Sequence, residues 1–357
     1  MIFNILDYGA DQNGNENSSS AIQKAIDDCS KRGGMVYVPA GEFKSGFLRL
    51  RSNIELYLEQ GARLVSDLDD TSGFFLYAKD EKNVTISGHG EIDGQGRLRF
   101  EEDGADGDYG ECPFNVTGAR PRTSFFENIE NLTVKNITFY DAAFWTLHMA
   151  GCKNVLIDGI RILNQDRGPN NDGIDPDCCQ NVVIQNCIVE SGDDCIVVKT
   201  TKNMHEKYGD CENIIIRGCI LHSALKIGTE TWGNIRQIIM SDCIIRSCSR
   251  AVGIWSRDGG SISDIYIHHI MGNTKRYADC PQRAFPPRWW GKGEPIFISA
   301  TKRKEGKQVP GKIHHIEMDH VRITSESCIF IGGEVYALVE HIRLRDIEIV
   351  WKKQGLH

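Results

Sequence analysis

NVVIQNCIV, residues 181–189, is the stretch that decides the fold, because it recurs. The same phrase starts at Asn83 (NVTISGHG), Asn131 (NLTVKNITF), Asn154 (NVLIDGIRI) and Asn213 (NIIIRGCIL). Variants start at Gln237 (QIIMSDCII), Asp264 (DIYIHHIMG), His315 (HIEMDHVRI) and His341 (HIRLRDIEI). Most spacings run from 23 to 32 residues, with gaps of about twice that where a copy is degenerate. That is the period of a solenoid. Each copy is a short β-branched run that cannot bury its own apolar face, so the copies have to stack. The expectation is an all-β, single-stranded parallel β-helix of about ten coils, forming one domain over residues 1–357.

The bulk numbers fit a single long domain. The chain has 357 residues and a net charge of −8, with no strong basic patch. Nucleic acid and anionic membranes are therefore not expected partners. Met1-Ile-Phe-Asn leads into a turn-rich start with no signal-peptide pattern, and no stretch approaches the ~18 apolar residues of a membrane span. Thirteen cysteines suggest a disulfide framework until they are placed on the repeat. Cys187, Cys219 and Cys243 stand six residues after a repeat start, where other copies carry Ile137, Ile160, Ile270, Val321 and Ile347. That is an interior position, and free Cys behaves there as a small hydrophobe. The odd count and the missing signal predict a reducing, cytoplasmic setting. No Cys/His spacing reads as a zinc site; His268-His269 and His314-His315 read as turn or surface residues.

Residues 20–32 (SAIQKAIDDCSKR) carry the helical spacing Ala21, Ile22, Ala25, Ile26, Cys29, with serines ahead as caps and Gly33-Gly34 as the stop. This helix is expected to cap the open N-terminal end of the stack, within a cap of about residues 1–35. MVYVPAGEF and NIELYLEQGARL read as strands. Two loop excursions interrupt the pattern, at about 97–122 (acidic, Gly-rich) and 272–312. The second contains Trp289 and Trp290, which are candidates to roof a groove.

Four segments superpose by their alternation: NDGIDPD (171–177), DDCIVVK (193–199), SALKIGT (223–229) and RAVGIWS (250–256). Ile174/Pro176, Ile196/Val198, Leu225/Ile227 and Val252/Ile254 form two inward columns. The residues between them point out, because a strand alternates faces. Asp172, Asp194, Ser223 and Arg250 form a column just ahead of the strands, with Asp193 beside it. Parallel neighbours lie roughly 4.8 Å apart, so Asp172, Asp193 and Asp194 become neighbours on one face, with Asp175 one pleat away. Crowded carboxylates push one proton affinity up, which separates an acid from a base, as glycosidic cleavage needs. Singly, Asp-Gly and Asp-Asp are ordinary turn pairs; their register on adjacent coils is what carries the reading.

With these residues in view, the chain resembles the polygalacturonase family of glycoside hydrolases. The likeness includes DYGADQNGNENSSSAIQKAI, GGMVYVPAGEF, GEIDGQG, AAFWTLHMAGCKNV, NNDGIDPD, SGDDCIVVK and LKIGTE. The resemblance implies a right-handed β-helix. It also implies that Asp193 is the general acid, that Asp172 and Asp194 hold and deprotonate water, and that cleavage inverts the anomer without metal or cofactor. Two departures stand out. The family's Gly-His-Gly is here His222-Ser223-Ala224, and its Arg-Ile-Lys is Gly253-Ile254-Trp255. The second removes two cations that would hold a sugar carboxylate, while Trp255 offers a flat face to a sugar ring. Lys226, Arg250 and Arg257 are candidates to restore charge. Asn171, His148, Asp175, His222, Glu230 and Asp258 are further candidate groove residues. The expected partner is a pectic oligo- or polysaccharide, cut from a chain end; a homo-oligomer or a missing segment would cover the C-terminal end of the stack, where no cap is evident. The rival activities on such a scaffold are a calcium-dependent polysaccharide lyase and a non-catalytic carbohydrate-binding or tailspike-like protein.

Overall fold

Two left-handed backbone positions, five residues apart, turn each coil. The first residue of the repeated phrase has positive φ throughout: Asn83, Asn131, Asn154, Asn181, Asn213, Gln237, Asp264, His315 and His341 all lie between 54° and 63°. The second corner falls on Gly88, Asn136, Gly159, Asn186, Gly218, Asp242, His269, His320 and Asp346, again all with positive φ. Gly, Asn and Asp adopt this conformation at least cost, and so the phrase opens on Asn. The asparagine side chains then stack: Asn83 donates to Asn53 at 2.8 Å, Asn131 to Asn83 at 2.9 Å, Asn154 to Asn131 at 3.2 Å, Asn181 to Asn154 at 3.1 Å and Asn213 to Asn181 at 3.2 Å. Asn154→Ala is expected to cost about 1–2 kcal/mol through the backbone alone, and Asn154→Gly less. Chemical denaturation of the pair checks this, since equal losses would assign the position to the side-chain ladder instead.

The computed structural model describes residues 1–101, 114–248, 250–275, 293–303 and 308–352. The chain is an all-β, right-handed parallel β-helix. One side is a ten-stranded parallel sheet that includes Leu147–Ala150, Ile174–Asp177, Ile196–Thr200, Leu225–Thr231, Arg250–Ser256, Glu294–Ala300 and Phe330–Gly333. Ile174, Ile196, Leu225, Val252 and Ile296 pair in register and are buried, as the inward columns require. Helix α1, Ser19–Ser30, buries Ala21, Ile22, Ala25, Ile26 and Cys29 against the first coils. Its N-cap Ser18 makes no side-chain cap; its Oγ accepts from the Asp11 amide instead, and Asn17 Oδ1 accepts from the Ser19 amide. Cys187, Cys219 and Cys243 are buried free thiols on the inner column.

The excursion expected over 272–312 needs correction. The strand Glu294–Ala300 lies inside it and pairs with both Arg250–Ser256 and Phe330–Gly333, so that coil keeps its strand in this sheet. Ile296, Ile298 and Ala300 are its buried positions. The earlier excursion holds a short antiparallel pair, Phe100–Glu101 with Asn115–Val116. No helix among the described residues is long and apolar enough to cross a membrane.

Candidate active site

Each member of the aspartate cluster is delivered by the turn ahead of a strand. Asp172 precedes Ile174–Asp177, and Asp193-Asp194 precede Ile196–Thr200 on the next coil. The Gly173 amide donates to the Asp194 carbonyl at 2.9 Å, which locks the two turns together. One oxygen from each of Asp172, Asp193 and Asp194 lies within 4.8 Å of the others, and all three residues are buried. Asn171 holds this arrangement from behind. Its Oδ1 accepts from the Gly192 amide at 2.9 Å and its Nδ2 donates to the Gln165 carbonyl at 2.8 Å. Asn171 is fully buried, so it positions the turn and is not a sugar contact; its assignment to the groove is corrected.

The charges divide the three. Lys226 Nζ stands 2.5 Å from Asp194. Lys199 Nζ stands 3.4 Å from Asp172 and 2.6 Å from Asp175. Burial raises the proton affinity of Asp172, with Lys199 pulling it back down and Asp194 adding to the rise. Among the described residues no ammonium touches Asp193; Asn170 Nδ2 approaches it at 3.5 Å, and its own Oδ1 accepts from the Asp194 amide at 3.0 Å. Burial first, then repulsion from Asp172 and Asp194, push Asp193 well above the usual carboxylate range. The cluster therefore presents one carboxyl whose proton affinity burial and two acidic neighbours raise, beside two that touch lysines. Three converging oxygens could also cradle a hard cation, yet Lys199 and Lys226 already place two positive charges against them. A second acid/His group, Asp319, His320 and Asp346, belongs to an exposed corner of the solenoid.

The row beside the site points out of the helix but does not reach solvent. Asp175, Asp177, Val197 and Lys199 are all buried. His148 is buried too, with Nε2 3.2 Å from Asp177 Oδ2, its ring stacked on Phe125 and edge-on to Trp145. Burial depresses its pKa to about 4, against the opposing pull of Asp177, so the ring is neutral at working pH. Burial raises Asp177, but bonds from His148 and Thr201 outweigh it and leave the carboxyl below its ordinary value. His148 and Asp175 thus support the floor of the site rather than lining it, which corrects both expectations. His222 is also displaced. Its Nε2 faces Glu190 at 3.7 Å, as a one-residue shift along the strand dictates.

The missing cations are replaced from the flanks. Gly253 has no side chain, and a Cβ there would stand 3.2 Å from Arg250 Cδ and 3.5 Å from Lys226 Cγ. Those two stems therefore meet over the position that an arginine fills in the family's pattern. Arg250 lies over the Phe297 ring at 3.9 Å and pairs with Glu294 at 3.5 Å. Trp255 donates to Thr301 Oγ1 at 2.7 Å and carries Arg257 over its ring at 4.8 Å. Asp258 is buried and braces Arg303 through two bonds, 2.7 and 2.9 Å. Arg303 in turn stands 3.5 Å from Glu230. Burial raises Glu230, but Lys199, Lys226 and Arg303 together hold it below its usual value. A cavity of about 700 Å³ opens beyond Asp258, lined by Lys202, Trp232, Asp258 and Gln308 among others; none of the three clustered aspartates lines it. Trp289 and Trp290 lie outside the described residues.

Lys199, Trp145 and Arg303 were not nominated from sequence. Lys199 Nζ sits 3.8 Å from the centre of the Trp145 ring while it bridges two aspartates. A lysine in the outward row, one coil from Asp175, was the available signal. Arg303 gave none, since its partner Asp258 is 45 residues away.

The family model for glycosyl hydrolases family 28 matches residues 29–278. A probable polygalacturonase of Vitis vinifera is 28% identical over 77% of this chain and 61% of its own length. A probable polygalacturonase of Arabidopsis thaliana is 30% identical over 72% of this chain and 55% of its own. The chain thus spans about three-fifths of the length of these curated relatives. Among solved structures, a hyperthermoactive exopolygalacturonase from Thermotoga maritima superposes with a TM-score of 0.72 at 22% identity, over 98% of this chain and 91% of that one. Taken with the aspartate cluster on its coils, the family match places this chain in glycosyl hydrolases family 28.

Proposed function

We propose that this protein is an inverting glycoside hydrolase that trims uronic acid-containing pectic oligosaccharides from a chain end. The observation that carries the reading is the unequal environment of three neighbouring carboxyls. Asp193, raised well above the usual range, donates its proton to the leaving glycosidic oxygen. Asp172 and Asp194, each against a lysine, hold a water between them and accept its proton as it attacks the anomeric carbon from the opposite face. Nearest oxygens within 4.8 Å are closer than the roughly 6.5–9.5 Å common between inverting carboxyl groups. Inversion is therefore argued from the division of three groups, not from spacing.

Support for an acidic sugar comes from four cations on the coils after the aspartates: Arg250 and Arg257 against the Trp255 ring, Lys226 beside Gly253, and Arg303 beside Glu230. Support for chain-end action comes from the later part of the first excursion. Arg120 donates to the Pro169 carbonyl at 2.5 Å, and the Phe114 amide donates to the Arg167 carbonyl at 2.9 Å. These bonds tie the excursion to the loop that leads into Asp172. Free buried thiols suit a reducing cytoplasm, where imported oligosaccharides would be the substrate. Product analysis on a defined galacturonate oligomer and a neutral counterpart tests both points. Monomer released first from the acidic oligomer is expected; mid-chain products, or preference for the neutral chain, would overturn the corresponding part.

The pH profile follows from the same charges. Activity should fall as pH rises through the elevated pKa of Asp193, because the donor proton is then lost. Lys226 lowers both Asp172 and Asp193. Lys226→Met should therefore move both limbs of the kcat/KM profile to higher pH, and a profile that stays in place would contradict the assigned pairing.

A further inference from the structure

We propose that Arg122 binds the carboxylate of the sugar lying over the coils before Asp172, and so makes the enzyme selective for a uronic acid at that place. This role presupposes the acidic substrate proposed above and assigns one of its charges a partner.

Arg122 opens the strand Arg122–Glu127, two coils before the strand that follows Asp172. Its backbone is fixed: the amide donates to the Gly73 carbonyl at 3.0 Å, and the residue stands in register with Phe74. The guanidinium lies among four rings. Its carbon is 5.9 Å from the centre of Phe74, 5.4 Å from Phe125, 5.3 Å from Phe144 and 5.1 Å from Trp145. The rings form two stacked pairs, Phe74 with Phe125 at 5.3 Å and Phe144 with Trp145 at 5.5 Å. Phe125 is buried, while Phe74, Phe144, Trp145 and Arg122 itself are partly exposed, so the cage is not sealed from water.

Rings supply only half of what a guanidinium needs. Their faces attract the charge, but the N–H donors still require acceptors. Among the described residues the Arg122 side chain makes no hydrogen bond and no ion pair, and its Nε is shut off from water without an acceptor. Native proteins seldom leave such a donor unpaired without a reason. Burial penalises the charge, and Asp175 and Asp177 offset only part of that. Neither carboxylate is spare: Lys199 holds Asp175 at 2.6 Å, and Thr201 Oγ1 donates to Asp177 at 2.7 Å. Arg120 shows the contrast, because it lies over Phe144 at 4.8 Å and also donates to the Pro169 carbonyl. Arg122 thus offers an incoming carboxylate a planar fork whose ordering and desolvation are largely complete beforehand.

The place suits the reaction. The indole of Trp145 that carries Arg122 also carries Lys199 Nζ at 3.8 Å, and Lys199 stands 3.4 Å from Asp172. A sugar whose carboxylate reaches Arg122 therefore lies beside the aspartates. Arg250, Arg257, Lys226 and Arg303 stand on the coils after the aspartates, so Arg122 serves a different sugar from theirs.

Steady-state kinetics on a galacturonate dimer and its two singly methyl-esterified forms tests this, since an ester removes one charge and leaves the ring. Arg122→Gln should lower kcat/KM on the unesterified dimer by about 10–100-fold, the worth of charged hydrogen bonds. One of the two esters should cost the wild type a similar factor and cost Arg122→Gln almost nothing. The other ester should cost both enzymes alike. Arg122→Lys keeps the charge but loses the fork, and should retain only part of the first ester's effect; it gives the same comparison if the glutamine variant does not fold. An ester effect that survives whole in both variants, with all three substrates slowed equally, makes Arg122 a packing residue and overturns the proposal while leaving the acidic substrate in place. A wild type indifferent to both esters overturns the acidic substrate itself.

Discussion

Asp193→Asn should lower kcat by about 10²–10⁴-fold, the range that a general acid supplies, while thermal unfolding stays close to wild type. Asparagine keeps the shape of the side chain and can still accept from the Asp194 amide, which binds Asp193 Oδ1 at 3.0 Å. What it loses is the proton. Burial and the neighbouring Asp172 and Asp194 disfavour charge at this position, so a neutral amide of the same shape gives the fold little reason to suffer. Turnover measured on an oligomer with a good leaving group sharpens the result. If Asp193 only donates to the leaving oxygen, that substrate should lose far less than a natural one. Equal losses on both, or retained activity on the natural oligomer, would remove Asp193 from its role.

Lys199→Met should destabilise the chain by about 3–5 kcal/mol, the cost of breaking one partner out of a buried ion pair. Lys199 is 2% exposed and its partner Asp175 is 0% exposed, so neither can turn to water. Burial alone would favour a neutral amine, but Asp175 and Asp172 reverse that and raise the lysine well above its ordinary pKa. With the ammonium gone, Asp175 must take up a proton or stay charged among apolar neighbours. Asp175→Asn in the same chain should recover much of the loss, because the double variant leaves no isolated charge. Chemical denaturation of the wild type, both singles and the double gives the coupling directly. Additive losses would mean the pair is not a unit. Activity should fall in the single variant as well, since Lys199 also stands 3.4 Å from Asp172.

The sequence made the coils readable because their chemistry is periodic. Asn131, Asn154, Asn181 and Asn213 repeat a backbone conformation that few residues accept, and the alternation behind them fixes which side chains meet inside. The same alternation brings Asp172, Asp193 and Asp194 together on adjacent coils. What alternation cannot reveal is depth. It turns Asp175 and Lys199 outward, but it does not show that both are buried there, with Trp145 over Lys199. Nor does it distinguish a residue that touches substrate from one that holds the turn, and so Asn171 was placed a step too close to the sugar. Arg250 was legible as a cation near the groove. Its path over Gly253 toward Lys226 was not, because it depends on the absence of a side chain at Gly253. Residues 294–300 were lost in an apparent loop because no asparagine corner announces that coil.

The most direct measurement is proton NMR of a defined galacturonate oligomer during the first turnovers, before the product equilibrates its anomeric centre. Water held between Asp172 and Asp194 and a proton from Asp193 predict a saturated product whose new reducing end first appears with the opposite anomeric configuration. A first-formed product of unchanged configuration would mean a covalent glycosyl intermediate. Vinylic proton signals from an unsaturated sugar would mean elimination. Either spectrum contradicts the division of labour assigned to these three aspartates.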